Sequence, residues 1–190
     1  MAKKAEKPAI DNAKYCSTGE TKVVFGVTLH RIKAKVAIGL IAAGTLGGWI
    51  EKEENLDVYG NAWVSGDARV YGDAWVSGNA RVSGNAWVYG NARVSGDARV
   101  YGDAWVSGNA QYITISPVGS ENGCLTAFVQ KDGSILLNRG CFSGSIDAFL
   151  TAVERRHGDS DHGKIYRLAV EMIKLRLDTN VPAEMPEAAE

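Results

Sequence analysis

Residues 58–111 read VYGNAW VSGDAR VYGDAW VSGNAR VSGNAW VYGNAR VSGDAR VYGDAW VSGNAQ, nine consecutive six-residue units without an insertion. Each unit is Val, then Tyr or Ser, Gly, Asn or Asp, Ala, and finally Trp, Arg or Gln. Side chains alternate along a strand, so Ala62 and Val64 share one side while Trp63 and Ser65 share the other. The Gly and the Asn or Asp that follow make a corner, because Gly reaches positive φ without steric cost and Asn and Asp tolerate it better than other residues. Each unit is therefore one short strand and one bend, with Ala and Val pointing inward. Three units close a triangular coil of eighteen residues, so nine units make three coils. At about 4.8 Å per stacked strand the repeat rises only about 15 Å. Nine inward Val side chains contribute roughly 1.5–3 kcal/mol each, which leaves two open ends in need of help from the flanking segments.

This spacing resembles the hexapeptide repeat of left-handed parallel β-helices, in which an aliphatic residue is followed four positions later by a small one. Val and Ala occupy those positions in all nine units. The left hand is implied by the resemblance alone, since parallel crossovers are otherwise almost always right-handed. The period excludes a pentapeptide-repeat helix, and the absence of Thr from the repeat argues against an ice-binding solenoid. The expected fold is mainly β: a left-handed parallel β-helix of about three regular coils, with an N-terminal β cap and a small C-terminal ββαα module.

Residues eighteen apart stack on one face. The first face carries Trp63, Arg81 and Arg99 with Ser65, Ser83 and Tyr101; the second carries Arg69, Trp87 and Trp105 with Tyr71, Tyr89 and Ser107; the third carries Trp75, Arg93 and Gln111 with Ser77 and Ser95. Soluble proteins rarely expose contiguous apolar patches, and Trp, Tyr and Arg dominate binding hot spots. The candidate binding residues are thus Trp63, Arg69, Tyr71, Trp75, Arg81, Trp87, Tyr89, Arg93, Arg99, Tyr101 and Trp105. Stacking of Trp and Arg along the ladder, with a flanking segment folded over one face, is the structural alternative. The face with Trp87, Tyr89 and Trp105 is expected to be buried against another subunit or the C-terminal module. The Asn and Asp corners form rows suited to amide ladders, and no metal site is expected there.

Outside the repeat, 1–21 is polar and aperiodic and reads as a flexible arm. The N-terminal β cap covers 22–57, with strand-like runs at Val23 to Val27 and Ile32 to Ile38, a turn at Gly47-Gly48, and a last strand at Trp49-Ile50. The solenoid covers 58–115. The module at 116–178 has two strands around Lys131-Asp132-Gly133, a hairpin signal. A first helix is capped by Ser145 and buries Ile146, Phe149, Leu150 and Val153. A second runs from Asp161 to Leu177 with Ile165, Leu168, Ala169, Met172 and Leu175 as its apolar stripe. Residues 179–190 read as a disordered tail.

The chain of 190 residues is 45% hydrophobic with a formal net charge of −1. Its repeat balances four Arg against four Asp, which argues against a nucleic-acid polymer as partner. Three cysteines without a CxxC pair fit neither a disulfide framework nor a zinc site and suit a reducing cytoplasm. Residues 36–50 lack charge, but fifteen residues fall short of the roughly 20 that span a bilayer. They read as a buried strand and turn, with no membrane contact expected.

The leader 44–56, GTLGGWIEKEENL, running into GNAWV-type repeats, resembles a largely uncharacterised family of proteins from enterobacteria and their phages and prophages, some of them named acyltransferases for the repeat alone. The segment Gly140-Cys141-Phe142-Ser143-Gly144-Ser145-Ile146-Asp147, with the later His157-Gly158-Asp159, is similar to a C-terminal domain of phage proteins of this type. Hexapeptide acyltransferases resemble one another in using a His general base near the solenoid. Here the repeat has no His and no inserted loop, and His30, His157 and His162 all lie outside it. Cys141 could serve as a nucleophile beside His157, so Cys141, Phe142, His157 and His162 form a secondary candidate site. The expected function is a non-catalytic binding or scaffold protein without cofactor, homo-oligomeric and contacting another protein, such as a host or defence component. The alternatives are acyl transfer from an acyl-CoA donor, or binding of a nucleotide or single-stranded nucleic acid through the Trp/Tyr/Arg face.

Overall fold

The computed structural model describes residues 10–180, and within it the repeat folds as a parallel β-solenoid of about three coils. Eight two-residue strands carry it: β4 (Trp63–Val64), β5 (Arg69–Val70), β6 (Trp75–Val76), β7 (Arg81–Val82), β8 (Trp87–Val88), β9 (Arg93–Val94), β10 (Arg99–Val100) and β11 (Trp105–Val106). They stack in register at the eighteen-residue period, Trp63 on Arg81 on Arg99, Trp75 on Arg93, and Arg69 on Trp87 on Trp105. The eight valines of these strands and the alanines before them are fully buried.

Val58 departs from the expected inward set and is exposed. Leu56 replaces it, buried and bridged in parallel to Val76. The chain before the repeat enters twenty residues ahead of its stacking partner rather than eighteen. The same offset places β3 (Leu46–Ile50) on β5, with Trp49 beside Arg69 and Ile50 beside Val70. Asn55 anchors this entry coil: its amide donates to the carbonyls of Gly72 and Ala74 and its Oδ1 accepts from the Glu51 and Lys52 amides.

Gly47 and Gly48, expected to form a turn, are buried residues within β3. The uncharged stretch before them, expected as a buried strand and turn, is a bend-rich surface loop in which Val36 and Leu40 are exposed. No helix among the described residues is long and apolar enough to cross a membrane.

Residues 10–21, expected to belong to a flexible arm, are ordered. Strand β1 (Tyr15–Val24) pairs antiparallel with β2 (Val27–Ala34), which pairs with β3, so the hairpin extends the second solenoid sheet. Ile10, Tyr15 and Ile32 plug the lower end of the valine core, and the Tyr15 hydroxyl donates to the Leu56 carbonyl at 2.6 Å. Within residues 10–21 only Ile10 and Tyr15 are buried apolar side chains, which is too sparse a pattern for sequence periodicity to register. Residues 1–9 and 181–190 lie outside the described residues, together with the corresponding parts of the expected arm and tail.

Lys14 is buried beside this plug, at 4% exposure, with its Nζ donating to the Asp57 carbonyl at 2.8 Å. Burial pulls its pKa down to about 8; Asp57 opposes the shift and Arg81 adds to it. In the unfolded chain a lysine titrates near 10.4. Between those values the unfolded chain keeps a proton that the folded chain has released, so this group makes stability rise with pH through that window. We expect the unfolding free energy of the wild type to gain roughly 1–3 kcal/mol on that of Lys14→Met between about pH 7.5 and pH 10.5. Urea unfolding of both proteins at the two pH values measures the difference, and parallel curves would contradict it.

The C-terminal module has four strands rather than two. Strand β12 (Tyr112–Val118) does not continue the solenoid but pairs antiparallel with β13 (Gly123–Val129), followed by β14 (Ile135–Arg139) and β15 (Phe142–Ser145). Phe128 on β13 enters the solenoid core and closes its upper end. Helices α1 (Ile146–His157) and α2 (Asp161–Arg176) cover the other side of this sheet. The N-terminal residues of both are capped as their sequences require: Ser145 Oγ accepts from the Ala148 amide and Ser160 Oγ from the Gly163 amide.

Helix α1 buries Phe149 and Val153, with Ile146 and Leu150 partly covered. Helix α2 buries a different face from the one expected: Tyr166, Ala169, Val170, Ile173 and the following Leu177 point inward. Of the expected stripe only Ala169 is buried, while Ile165, Leu168, Met172 and Leu175 stand exposed. The helix carries two apolar stripes, and the sheet takes the one that includes Tyr166, whose ring meets Phe149 edge-on at 5.4 Å.

Candidate functional site

The solenoid's outward rows meet very different surroundings. On the second face the tip of the β1–β2 hairpin folds across the ladder, and Leu29, Trp49, Tyr71, Tyr89 and Trp105 form one buried cluster with Val24, Val27 and Trp87 against it. Trp87 and Trp105 stack at 5.0 Å, Tyr71 and Tyr89 at 5.3 Å, and Phe25 leans on Trp87. Arg69 lies over the Trp87 ring at 4.7 Å, and Trp105 Nε1 donates to the Tyr89 hydroxyl at 2.6 Å. Burial pushes the Tyr71 and Tyr89 hydroxyls above their ordinary pKa. Within the chain this face is covered chiefly by the N-terminal hairpin and not by the helical module, although Lys131 of the β13–β14 turn does reach the Trp105 ring. Sequence reasoning missed the hairpin because Phe25 sits at its turn with φ of 49°, where the run of valines suggested an uninterrupted strand.

The third face is open. Trp75 is exposed with Arg93 over its ring at 5.6 Å, and Tyr59 is exposed below them. Gln111, expected in the outward row, is instead buried next to Ser107.

The first face holds a groove. Its lowest row member, Trp63, is 1% exposed beneath the N-terminal cap, against Gly47. Its highest, Arg99, lies beside β13, where the Arg99 amide donates to Thr126 Oγ1. Tyr101 accepts from Asn138 Nδ2 at 2.6 Å and stacks edge-on against Phe128. Between cap and sheet a cavity of about 490 Å3 remains, lined by Leu40, Arg81, Arg99, Cys124, Asn138 and Arg139 among others. One edge is the corner row, in which Asn61 Nδ2 donates to Asn79 and Asn79 Nδ2 donates to Asp97. Burial and the neighbouring Arg99 lower the Arg81 pKa, and burial raises that of the Cys124 thiol.

Residues 62–78, 74–90, 86–100 and 92–108 match a known family model, described as the YdcK Beta solenoid repeat. The repeat is thus similar to that β-solenoid repeat. No curated protein matches it. The overlapping matches begin at the Ala of the first unit and end at the Gly of the ninth, and they span the strands that stack in register. The flanking cap and helical module lie outside the matched residues.

The secondary candidates fall together in part. Cys141, Phe142 and His157 line a second cavity of about 450 Å3 between the β14–β15 turn and α1, with Arg155 and Arg156 at its mouth. His162 meets the His157 ring edge-on at 6.0 Å and does not line that cavity, and the His157 ring also leans on Tyr166. Cys141 is exposed at the turn. His30 lies on β2 in the hairpin, paired with Thr21 and Ile50.

Proposed function

We propose that the protein is a non-catalytic scaffold that acts through protein–protein contacts, and that its helix α2 pairs with α2 of a second copy. The observation that carries this reading is the exposed stripe Ile165, Leu168, Met172 and Leu175. Its spacing of three, four and three residues is that of a coiled-coil seam. Antiparallel pairing about the middle of the stripe sets Ile165 against the partner's Leu175 and Leu168 against the partner's Met172. The ends of α2 suit that direction: Asp161 occupies the first turn, Lys174 and Arg176 the last, so unlike charges meet. A helix apolar on two sides needs two partners, and its own sheet supplies one.

The solenoid then serves as a rigid base that presents its open third face and the helical module. The phage and prophage resemblance of the leader and of the Gly140–Asp147 segment supports a host protein as the further partner. The Trp/Tyr/Arg face offers little to nucleic-acid bases, because its aromatic rings stack on one another beneath the hairpin. Acyl transfer would need a base at the acceptor, and the three histidines sit on the hairpin and the helical module.

Sedimentation velocity tests the pairing. The wild type is expected to dimerise with a Kd in about the micromolar range, as a small single-helix seam implies. Leu168→Asp with Leu175→Asp should remain monomeric with an unchanged melting temperature, because both side chains project from the folded surface. A wild type that stays monomeric at high concentration overturns the reading.

A further inference from the structure

We propose that the groove on the first solenoid face binds a small phosphorylated sugar, free or as the ribose phosphate of a nucleotide, with its phosphate held between Arg81 and Arg99. The two arginines are register partners on adjacent parallel strands, which places their backbones about 4.8 Å apart and lets both guanidinium groups reach one tetrahedral anion. A pair of like charges stacked so closely is a cost that a bound dianion removes. Arg81 Nη1 is buried and has no hydrogen-bond partner among the described residues, an unused donor of the kind that folded proteins seldom leave. Among the charged residues lining the groove, Arg81, Arg99 and Arg139 outnumber the single carboxylate, Asp97.

Arg139 has less freedom, since its Nη2 donates to the Val118 carbonyl and its Nη1 faces Glu121. It contributes field more than contact. The groove volume of about 490 Å3 exceeds what a lone phosphate fills and lies within the range of small-molecule pockets. Polar groups along its Asn61–Asn79–Asp97 edge suit sugar hydroxyls: Asp97 accepts from Asn79 through one oxygen and can take a hydroxyl donor as well. The exposed Leu40, on the loop whose Gly39 lies against Arg81 and Asn61, gives the rim an apolar wall for the remainder of the ligand. Burial raises the pKa of the Cys124 thiol, which disfavours its thiolate.

The chemistry is independent of α2 pairing, and its test reads the groove alone. Isothermal titration calorimetry of the full chain with AMP and with glucose 6-phosphate is expected to show saturable binding of at least one of them, weakened by added salt. Adenosine and glucose should not bind. Arg81→Gln with Arg99→Gln should weaken the interaction at least about tenfold, while the α2 surface still governs sedimentation. Arg99→Glu is the companion variant, since that side chain is exposed and its reversal leaves the solenoid core untouched; it should abolish binding without shifting the melting temperature. Binding of inorganic phosphate as tight as that of both organic phosphates would overturn the sugar assignment. Absence of binding by AMP and glucose 6-phosphate, or equal affinity in Arg99→Glu, would overturn the site.

Discussion

Gly48→Ala is expected to destabilise the protein by about 3 kcal/mol, as overpacking against immobile atoms does. A methyl group at this position would lie 2.7 Å from the Ala68 carbonyl oxygen and 2.8 Å from Val64 Cγ1. The first is backbone of a neighbouring coil, so no rotamer change relieves it. Gly47 is confined in the same way by Ile32, the Trp63 ring and the Val64 carbonyl. The pair lets β3 lie flat on the first coil, and the N-terminal hairpin joins the solenoid sheet through that strand. Urea unfolding followed by tryptophan fluorescence measures the loss. Gly96→Ala provides the comparison, because nothing lies within 4 Å of a methyl group there and only its φ of 66° is unfavourable. That variant should lose about 1 kcal/mol. Equal losses in the two variants would mean that close packing at β3 contributes nothing beyond backbone conformation.

Phe128→Ala should cost about 3–5 kcal/mol, the range for deleting a fully buried aromatic ring. Phe128 is the fully buried residue that the C-terminal sheet gives to the solenoid core, with Tyr112 and Leu136 partly buried against it. Its strand lies against β10 and β11, and its ring meets Tyr101 edge-on at 5.7 Å. Removing it leaves the last coil open to water, with short unpaired strands at its edge. Hydrogen exchange should therefore quicken first in residues 99–106 and last in residues 63–70, where Ile10, Tyr15 and Ile32 still close the other end. A uniform increase across all three coils would show that the solenoid opens as one unit and that Phe128 acts on the whole of it.

The solenoid was legible because its period repeats nine times and each position has a single steric requirement. Register, inward Val and Ala, and corner ladders such as Asn61 to Asn79 to Asp97 all follow from it. The caps were less legible because each contact is made once. Gly47-Gly48 has the composition of a turn, and only the closeness of Val64 and Ala68 explains its place in a strand. Helix α2 was legible in its existence and its ends, yet not in its orientation, since two apolar stripes satisfy the same helical spacing. Arg81 and Arg99 could be placed on one face from the repeat alone. That this face becomes a groove depends on where two unrelated segments stop, which no local pattern encodes.

The entry strand β3 stacks on the repeat as though it were a coil, and the C-terminal sheet seats on whichever coil is last. The repeat between them is consequently a ruler. Duplicating eighteen residues would return each cap to the face it now covers and raise the groove wall by about 4.8 Å, one more strand spacing. Duplicating six would turn the C-terminal sheet by one face of the prism, away from Arg81 and Arg99, and leave no groove at all. The groove between the caps can change in height by whole coils, and by no smaller step.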